Sequence, residues 1–237
     1  MTQVFEDQKF EQFYEDGCGA VYSGFVFRRC TFRSCDISIT RDPKLRTTVR
    51  NVQLIDCVRK RDPAGFGCAV VEDCLVEKLR IEELLQTWGA VFKHVTLRGR
   101  IGPIMLSNCL CPTSTTTDAM QQAFEEANAA YYSTVDWALD ISRAEFTGEC
   151  DIRGLPVRLI RRDPETQVVV TRERALQGGW QKLPWRTDDW DWNGWIGEFL
   201  KDREPDIVLI APKRHRRFQE LVTGLKRLRE AGVAEPD

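Results

Sequence analysis

Histidine is almost absent from this chain, with only His94 and His215 in 237 residues. Two isolated imidazoles argue against a histidine-built metal cluster and against a catalytic triad. Net charge is lacking as well: 34 basic and 36 acidic residues leave a formal charge of −2. A balance so close to neutral provides no field for holding nucleic acid, nor the strongly acidic surface of a nucleic-acid mimic. Apolar runs stay well short of the roughly 18 residues that span a bilayer. The first residues, Met1 to Gln8, show no basic stretch followed by an apolar one, so a cytosolic protein without an export leader is expected. There is no phosphate-binding glycine loop, no dinucleotide fingerprint and no Gly-x-Ser-x-Gly elbow.

Cysteine, by contrast, is plentiful. Nine are present, an odd number, and in a reducing compartment thiols serve as small buried apolar groups. Most fall in one recurring pattern: an apolar residue, two polar ones, a cysteine, and often a second apolar residue two further on. Copies are Phe27-Arg-Arg-Cys30-Thr-Phe32, Phe32-Arg-Ser-Cys35-Asp-Ile37, Leu54-Ile-Asp-Cys57, Val71-Glu-Asp-Cys74-Leu-Val76 and Leu106-Ser-Asn-Cys109. Val95 and Ala144 occupy the cysteine position in Phe92-Lys-His-Val95 and Ile141-Ser-Arg-Ala144, and Cys150-Asp-Ile152 closes the series. A position that accepts Val and Ala selects for small volume and burial, not for sulfur chemistry. Cys109-Leu-Cys111 has the wrong spacing for a paired-thiolate zinc site and lacks a second pair. No metal or cofactor is expected.

A five-residue step relates Phe5 to Phe10 and Phe27 to Phe32 to Ile37. With Cys30-Thr-Phe32-Arg-Ser, Cys35-Asp-Ile37-Ser-Ile and Ala144-Glu-Phe146-Thr-Gly, the chain resembles the pentapeptide-repeat family, whose four-faced coils take about twenty residues each. Elsewhere the matching positions are spaced 22, 17, 21 and 14 residues apart (Cys35, Cys57, Cys74, Val95, Cys109). That irregularity is more typical of a general right-handed parallel β-helix. The resemblance is architectural and implies a mainly β fold: an irregular right-handed solenoid with an inserted helix and an α-containing C-terminal cap.

The solenoid is expected over residues 1–175 and the cap over 176–237. Arg-Asp-Pro at 41–43, 61–63 and 162–164 marks turns, because proline fixes its own φ and disfavours helix in the residue before it. Thr117 to Tyr131 is rich in helix formers behind a Thr or Asp cap. Ile81 to Gln86 fits either a short helix or a coil. A hairpin is expected between 157–160 and 167–171 around Asp163-Pro164. In the cap, Trp192, Trp195, Ile196, Phe199 and Leu200 share one helical face, with Asp191 available as a cap. Asp206 to Ile210 reads as a buried strand, and Phe218 to Leu228 as an amphipathic helix ending near Gly232.

The candidate binding residues lie in this last third. Five of the chain's seven tryptophans fall between Trp180 and Trp195. Trp185 and Trp190 are the expected surface contacts, beside Asp188 and Asp189. Arg214, Arg216 and Arg217 flank His215 in a basic run that suits an acidic partner. His94 is expected to project from a coil face as a surface histidine.

The expected function is a non-catalytic cytosolic scaffold that binds another protein, in the manner of an immunity or inhibitor protein; that last point rests on fold analogy. The alternative is a carbohydrate-active enzyme with Trp185 and Trp190 as a sugar platform and two of Asp188, Asp189 and Asp191, or Asp140 with Glu145, as acid and base. Duplex mimicry is disfavoured by the near-neutral charge.

Overall fold

The computed structural model describes residues 2–60, 67–111, 113–183, 186–187, 190–201 and 204–236, with the backbone alone at 186, 187 and 190. The fold is mainly β and contains several parallel sheets. The longest has seven strands: Gln3–Glu6, Phe25–Arg28, Gln53–Ile55, Leu75–Glu77, Val95–Ile101, Leu139–Phe146 and Ile160–Arg161. All its described pairings are parallel. A second sheet orders Lys9–Tyr14, Thr31–Asp36, Val58–Arg59 and Arg80–Ile81, and a third orders Val21–Ser23, Thr48–Arg50, Val70–Glu72 and Val91–Lys93. Residues 2–93 therefore visit these three sheets in the same order on each of four passes.

What turns the chain between sheets is a corner residue in the left-handed region. Asp7, Arg29, Asp56 and Lys78 all have φ between 52° and 54° or at 51°, and they stand in register on successive passes, followed by Gly99 at 65°. A second column holds Gly24, Asn51, Asp73 and His94, again with positive φ and in register. Gln12 and Ser34 form a third pair. Gly, Asn and Asp reach this region at least cost; for the other side chains it costs about 1–2 kcal/mol each. The corners lie five residues apart along the chain: Asp7 and Gln12, Arg29 and Ser34, Asn51 and Asp56, Asp73 and Lys78, Gly89 and His94 and Gly99. The five-residue rhythm of the sequence is the distance between corners.

The cysteine position follows a corner, and more than one corner column supplies it. Cys30 and Cys57 follow the first column, where Leu79 continues the series. Cys74 and Val95 follow the second, with Val52 before them and Leu139 after. The uneven intervals arise because the counted positions are not equivalent: Cys35 follows the third pair of corners, Cys57 the first column, Cys74 and Val95 the second, and Cys109 follows none of these corners. Ala144 is not an equivalent of Val95: it pairs with Gly99, and Leu139 stands opposite Val95. Cys30, Cys57, Cys74, Val95 and Cys150 are buried, whereas Cys35 and Cys109 are only half-buried. The Cys30 thiol donates to the carbonyls of Arg28 and Phe5, at 3.4 and 3.5 Å, the second on the preceding pass. Cys57 does the same with Ile55 and Phe27. Burial pushes the Cys74 thiol up to about 11 and raises Cys150 well above the ordinary thiol range, so both stay protonated.

Inside the first two passes the apolar positions are phenylalanines. Phe5 stacks on Phe27 with centroids 5.1 Å apart, and Phe10 on Phe32 at 5.3 Å. The two columns meet edge to face, Phe10 against Phe27 at 5.4 Å.

Helix α1 spans Asp118–Tyr132, and the Thr117 hydroxyl accepts the Met120 amide at 3.3 Å, as its sequence foretells. The Ile81–Gln86 stretch is not helical; it leads from Arg80–Ile81 into the strand Leu85–Trp88. That strand begins a five-stranded sheet continuing through Ile104–Ser107, Cys150–Ile152, Asp206–Ile210 and Gln167–Thr171. The expected 157–171 hairpin does not form. Val157–Leu159 is a 3-10 turn and Ile160–Arg161 joins the seven-stranded sheet, while Gln167–Thr171 pairs antiparallel with Asp206–Ile210. Strand 206–210 thus closes one sheet shared by both halves. Its Val208 and Ile210 enter the core of the parallel sheets. Ile207 and Leu209 face the C-terminal core with Trp192, Ile196, Phe199 and Leu225.

Three short helices complete that core: α2 (Arg172–Leu176), α3 (Trp192–Lys201) and α4 (Phe218–Glu230). Asp191 caps α3, its carboxylate accepting the Gly194 amide at 3.0 Å. Arg172 caps the other end, donating to the carbonyls of Phe199, Leu200 and Glu204 at 2.9–3.1 Å.

Candidate functional site

Exposed apolar side chains are concentrated at one end. Among the described residues seven large hydrophobics are exposed, and six of them lie in the first 45 positions: Val4, Phe13, Tyr14, Val21, Ile39 and Leu45. Ile39 and Leu45 edge an open groove of about 1050 Å³, whose apolar lining continues through Leu84, Trp88 and Leu110. Asp16, Asp36, Arg41 and Glu83 supply its polar rim. Apolar exposure bordered by charge is the usual anatomy of a surface that meets another molecule.

Local chemistry holds this groove open. The loop after Asp36 leaves the parallel strands, and Asp42 Oδ1 accepts the Lys44 amide at 2.9 Å to start the 3-10 turn Pro43–Leu45. Beneath the loop lies a buried carboxylate, Glu15. It accepts the amides of Gly17 at 2.9 Å, Cys18 at 3.1 Å and Ser38 at 2.9 Å, together with the Thr47 hydroxyl. Burial alone would raise this carboxyl, but the bonds from Thr47, Ser38 and Cys18 outweigh it and hold the group below the ordinary glutamate range. With the Cys18 thiol at 3.5 Å as a fifth donor, this carboxylate fixes Gly17 and Ser38, which both line the groove.

The other wall is pinned by Arg46. Its buried guanidinium donates to Gly89 O at 3.0 Å and to Asn128 Oδ1, and lies 4.7 Å from the Phe124 ring centre. Asn128 donates in turn to Asn108. Burial lowers the Arg46 pKa from its ordinary value. Helix α1 is held further by Tyr131, whose hydroxyl donates to Glu72 at 3.0 Å, and by the Gln121 carbonyl, which accepts the Leu110 amide at 2.8 Å. Leu110 and Thr116, at the helix approach, complete the groove.

His94 lies part-exposed at a corner, as a surface histidine, but it is not isolated there. Nδ1 lies 3.0 Å from Asp73 and Nε2 2.6 Å from Asp136, and the ring packs at 4.8 Å on Trp137. The Asp136 bond, assisted by Asp73, raises its pKa. Both ring nitrogens are engaged, so the imidazole clamps the chain emerging from α1 onto a corner. Neither nitrogen is left for a substrate.

The sequence-predicted binding residues fare differently. Trp185, Asp188 and Asp189 lie outside the described residues, and of Trp190 only the backbone is described, paired antiparallel with Thr187. Trp180 and Trp192 are buried and Trp195 packs against the same core. Arg214 pairs with Glu145 at 3.0 Å and Lys213 with Asp163 at 2.9 Å, tying the basic run to the β region. Arg216 is exposed, and Arg217 sits 3.9 Å from Glu220. Asp140 accepts the amide and hydroxyl of Ser142, so it and Glu145 serve separate partners rather than one reaction centre. Among the described residues no cluster of three or more His, Cys, Asp or Glu is arranged to hold a metal ion.

The groove was missed because no motif marks it. Its apolar members are scattered from Ile39 to Leu110, and each looks ordinary in its own segment. The one sequence signal was the break in rhythm after Ile37, where the five-residue step lapses. No family model, curated protein or solved structure matches this chain.

Proposed function

We propose that this protein is a non-catalytic binding scaffold, a right-handed parallel β-solenoid with an α-containing cap, whose groove receives a segment of another protein. The observation that carries this reading is the gathering of six exposed large hydrophobics at one end, two of them on the rim of the groove. Rim charges of both signs suit a partner that pairs a few polar groups around an apolar anchor. The five-residue corners support the solenoid, and right-handed crossovers are the rule for parallel strands. The cytosol is the proposed location: nine free thiols, several of them buried, fit a reducing compartment. No helix is long and apolar enough to cross a membrane among the described residues.

A photo-reactive residue at Ile39 or Leu45 tests this. It is expected to capture one protein in stoichiometric yield from the native host, with capture falling at least about tenfold on Trp88→Ala, the loss of one aromatic anchor. Capture unaffected by Trp88→Ala, or no capture at all, rejects the groove as the binding site.

A further inference from the structure

The three parallel sheets that begin near the N-terminus all end on strands from the first 23 residues: Gln3–Glu6, Lys9–Tyr14 and Val21–Ser23. Such an edge directs half of its main-chain groups away from the sheet. In the middle strand the outward set is identifiable. The Thr31 amide donates to Gln8 O, and Phe10 stands in register with Phe32, so the N–H and C=O groups of Lys9 and Glu11 point away from the fold. The side chains of Lys9 and Glu11 are exposed and make no ion pair among the described residues. Phe10, between them, turns inward and is the half-buried last member of the Phe10–Phe32 stack.

We propose that this end is closed by a second copy of the chain, the two N-terminal faces meeting about a two-fold axis, with Lys9–Glu11 paired antiparallel about Phe10. A two-fold axis across the strand reverses its direction, so the two edges meet antiparallel. The outward groups then set the register. Lys9 and Glu11 form the hydrogen-bonded pairs, and Phe10 meets its own copy at the centre as the close, non-hydrogen-bonded pair. This places Lys9 opposite Glu11 of the second copy, and does so twice. Centring the pair on Lys9 or on Glu11 instead sets like charges against each other, so charge selects a single register. Inside, Phe10 of the second copy extends the aromatic column. Val4 and Val21, 55% and 57% exposed, lie on the flanking edges that the same contact covers. The interface does not depend on the groove, and a dimer carries two grooves.

Sedimentation of the full chain tests it. Wild type is expected to sediment at twice 27.3 kDa at tens of micromolar. Lys9→Glu and Glu11→Lys each create two like-charge contacts and are expected to weaken the dimer at least about tenfold. The double variant Lys9→Glu/Glu11→Lys restores both pairs and is expected to return the dimer, an outcome that general damage to the fold cannot produce. A wild-type monomer at these concentrations overturns the proposal. So does a dimer indifferent to the single substitutions, or a double variant as weak as either one.

Discussion

The parallel-sheet half and the C-terminal core solve the same problem of burial by different means. In the first, strands of two to eight residues are turned by corner residues with positive φ, and most apolar side chains in the early passes are only half-buried. Each pass leans on its neighbours, and the corners are bridged by charge: Asp7 to Arg29 at 2.8 Å and Asp56 to Lys78 at 3.7 Å. In the second, Val168, Val170, Ile207, Leu209, Ile196 and Phe199 are all fully buried around one centre. One architecture spreads stability over many small, repeated contacts; the other concentrates it. Their carboxylates differ in the same way. Glu15 is buried with five donors and held low, whereas burial pushes Asp206 up to about 6 against a backbone bond from Val157, with Glu235 adding to the rise.

The strand Asp206–Ile210 belongs to both cores, so breaking it tests whether the two halves are independent. Leu209→Ala is expected to cost about 3–5 kcal/mol, the range for a fully buried leucine. Because Val208 on the opposite face packs in the other core, urea unfolding should remain a single transition. Two transitions, with only one displaced, would show that the halves fold separately.

Glu15→Gln is the next largest effect. At neutral pH it is expected to cost about 1–3 kcal/mol, since the amide cannot accept all the bonds made by the carboxylate. The folded pKa lies below the unfolded one, so the contribution of Glu15 is present above the unfolded pKa and fades as pH falls through the folded value. Wild type and variant should therefore converge in acid. A gap that persists undiminished well below the ordinary glutamate range would show that the carboxylate charge is not what matters.

Asp206→Asn has the smallest effect and the opposite sign. Here the folded pKa, about 6, lies above the unfolded one. Ionisation therefore removes stability as pH rises through that window. The variant should melt higher than wild type above neutrality and match it near pH 4. A lower melting temperature at pH 8 would mean that the Asp206 charge is stabilising.

Much of this architecture was legible. The inward positions of the first two passes, Phe5, Phe10, Phe27 and Phe32, were visible as a five-residue step because five residues separate one corner from the next within a pass. Helix α1 was visible in its composition and in Thr117. The α3 and α4 faces were visible in their 3.6-residue period. What misled was local similarity: the residues before Cys57 and Cys74 look alike, yet they turn different corners. The hairpin after Asp163 was a sound local inference, but strand 206–210, some forty residues later, outcompeted 157–160 for the 167–171 edge because it buries both faces. The groove left only the lapse of the five-residue step after Ile37, because its apolar members are scattered from Ile39 to Leu110.

The sequence by itself determined the mainly β character, helices α1, α3 and α4 and the near-balanced charge. Each of these depends on composition, period or charge within a few residues. The small-residue rule at the cysteine positions did not hold, since Leu79 and Leu139 stand in register with Cys57 and Val95. Only the tertiary structure decided which corner each cysteine follows, that His94 is clamped between Asp73 and Asp136, and that Arg46 and Glu15 frame an apolar groove. Those outcomes depend on register between segments 20 to 80 residues apart, where many pairings satisfy the same local pattern and the shared core selects one.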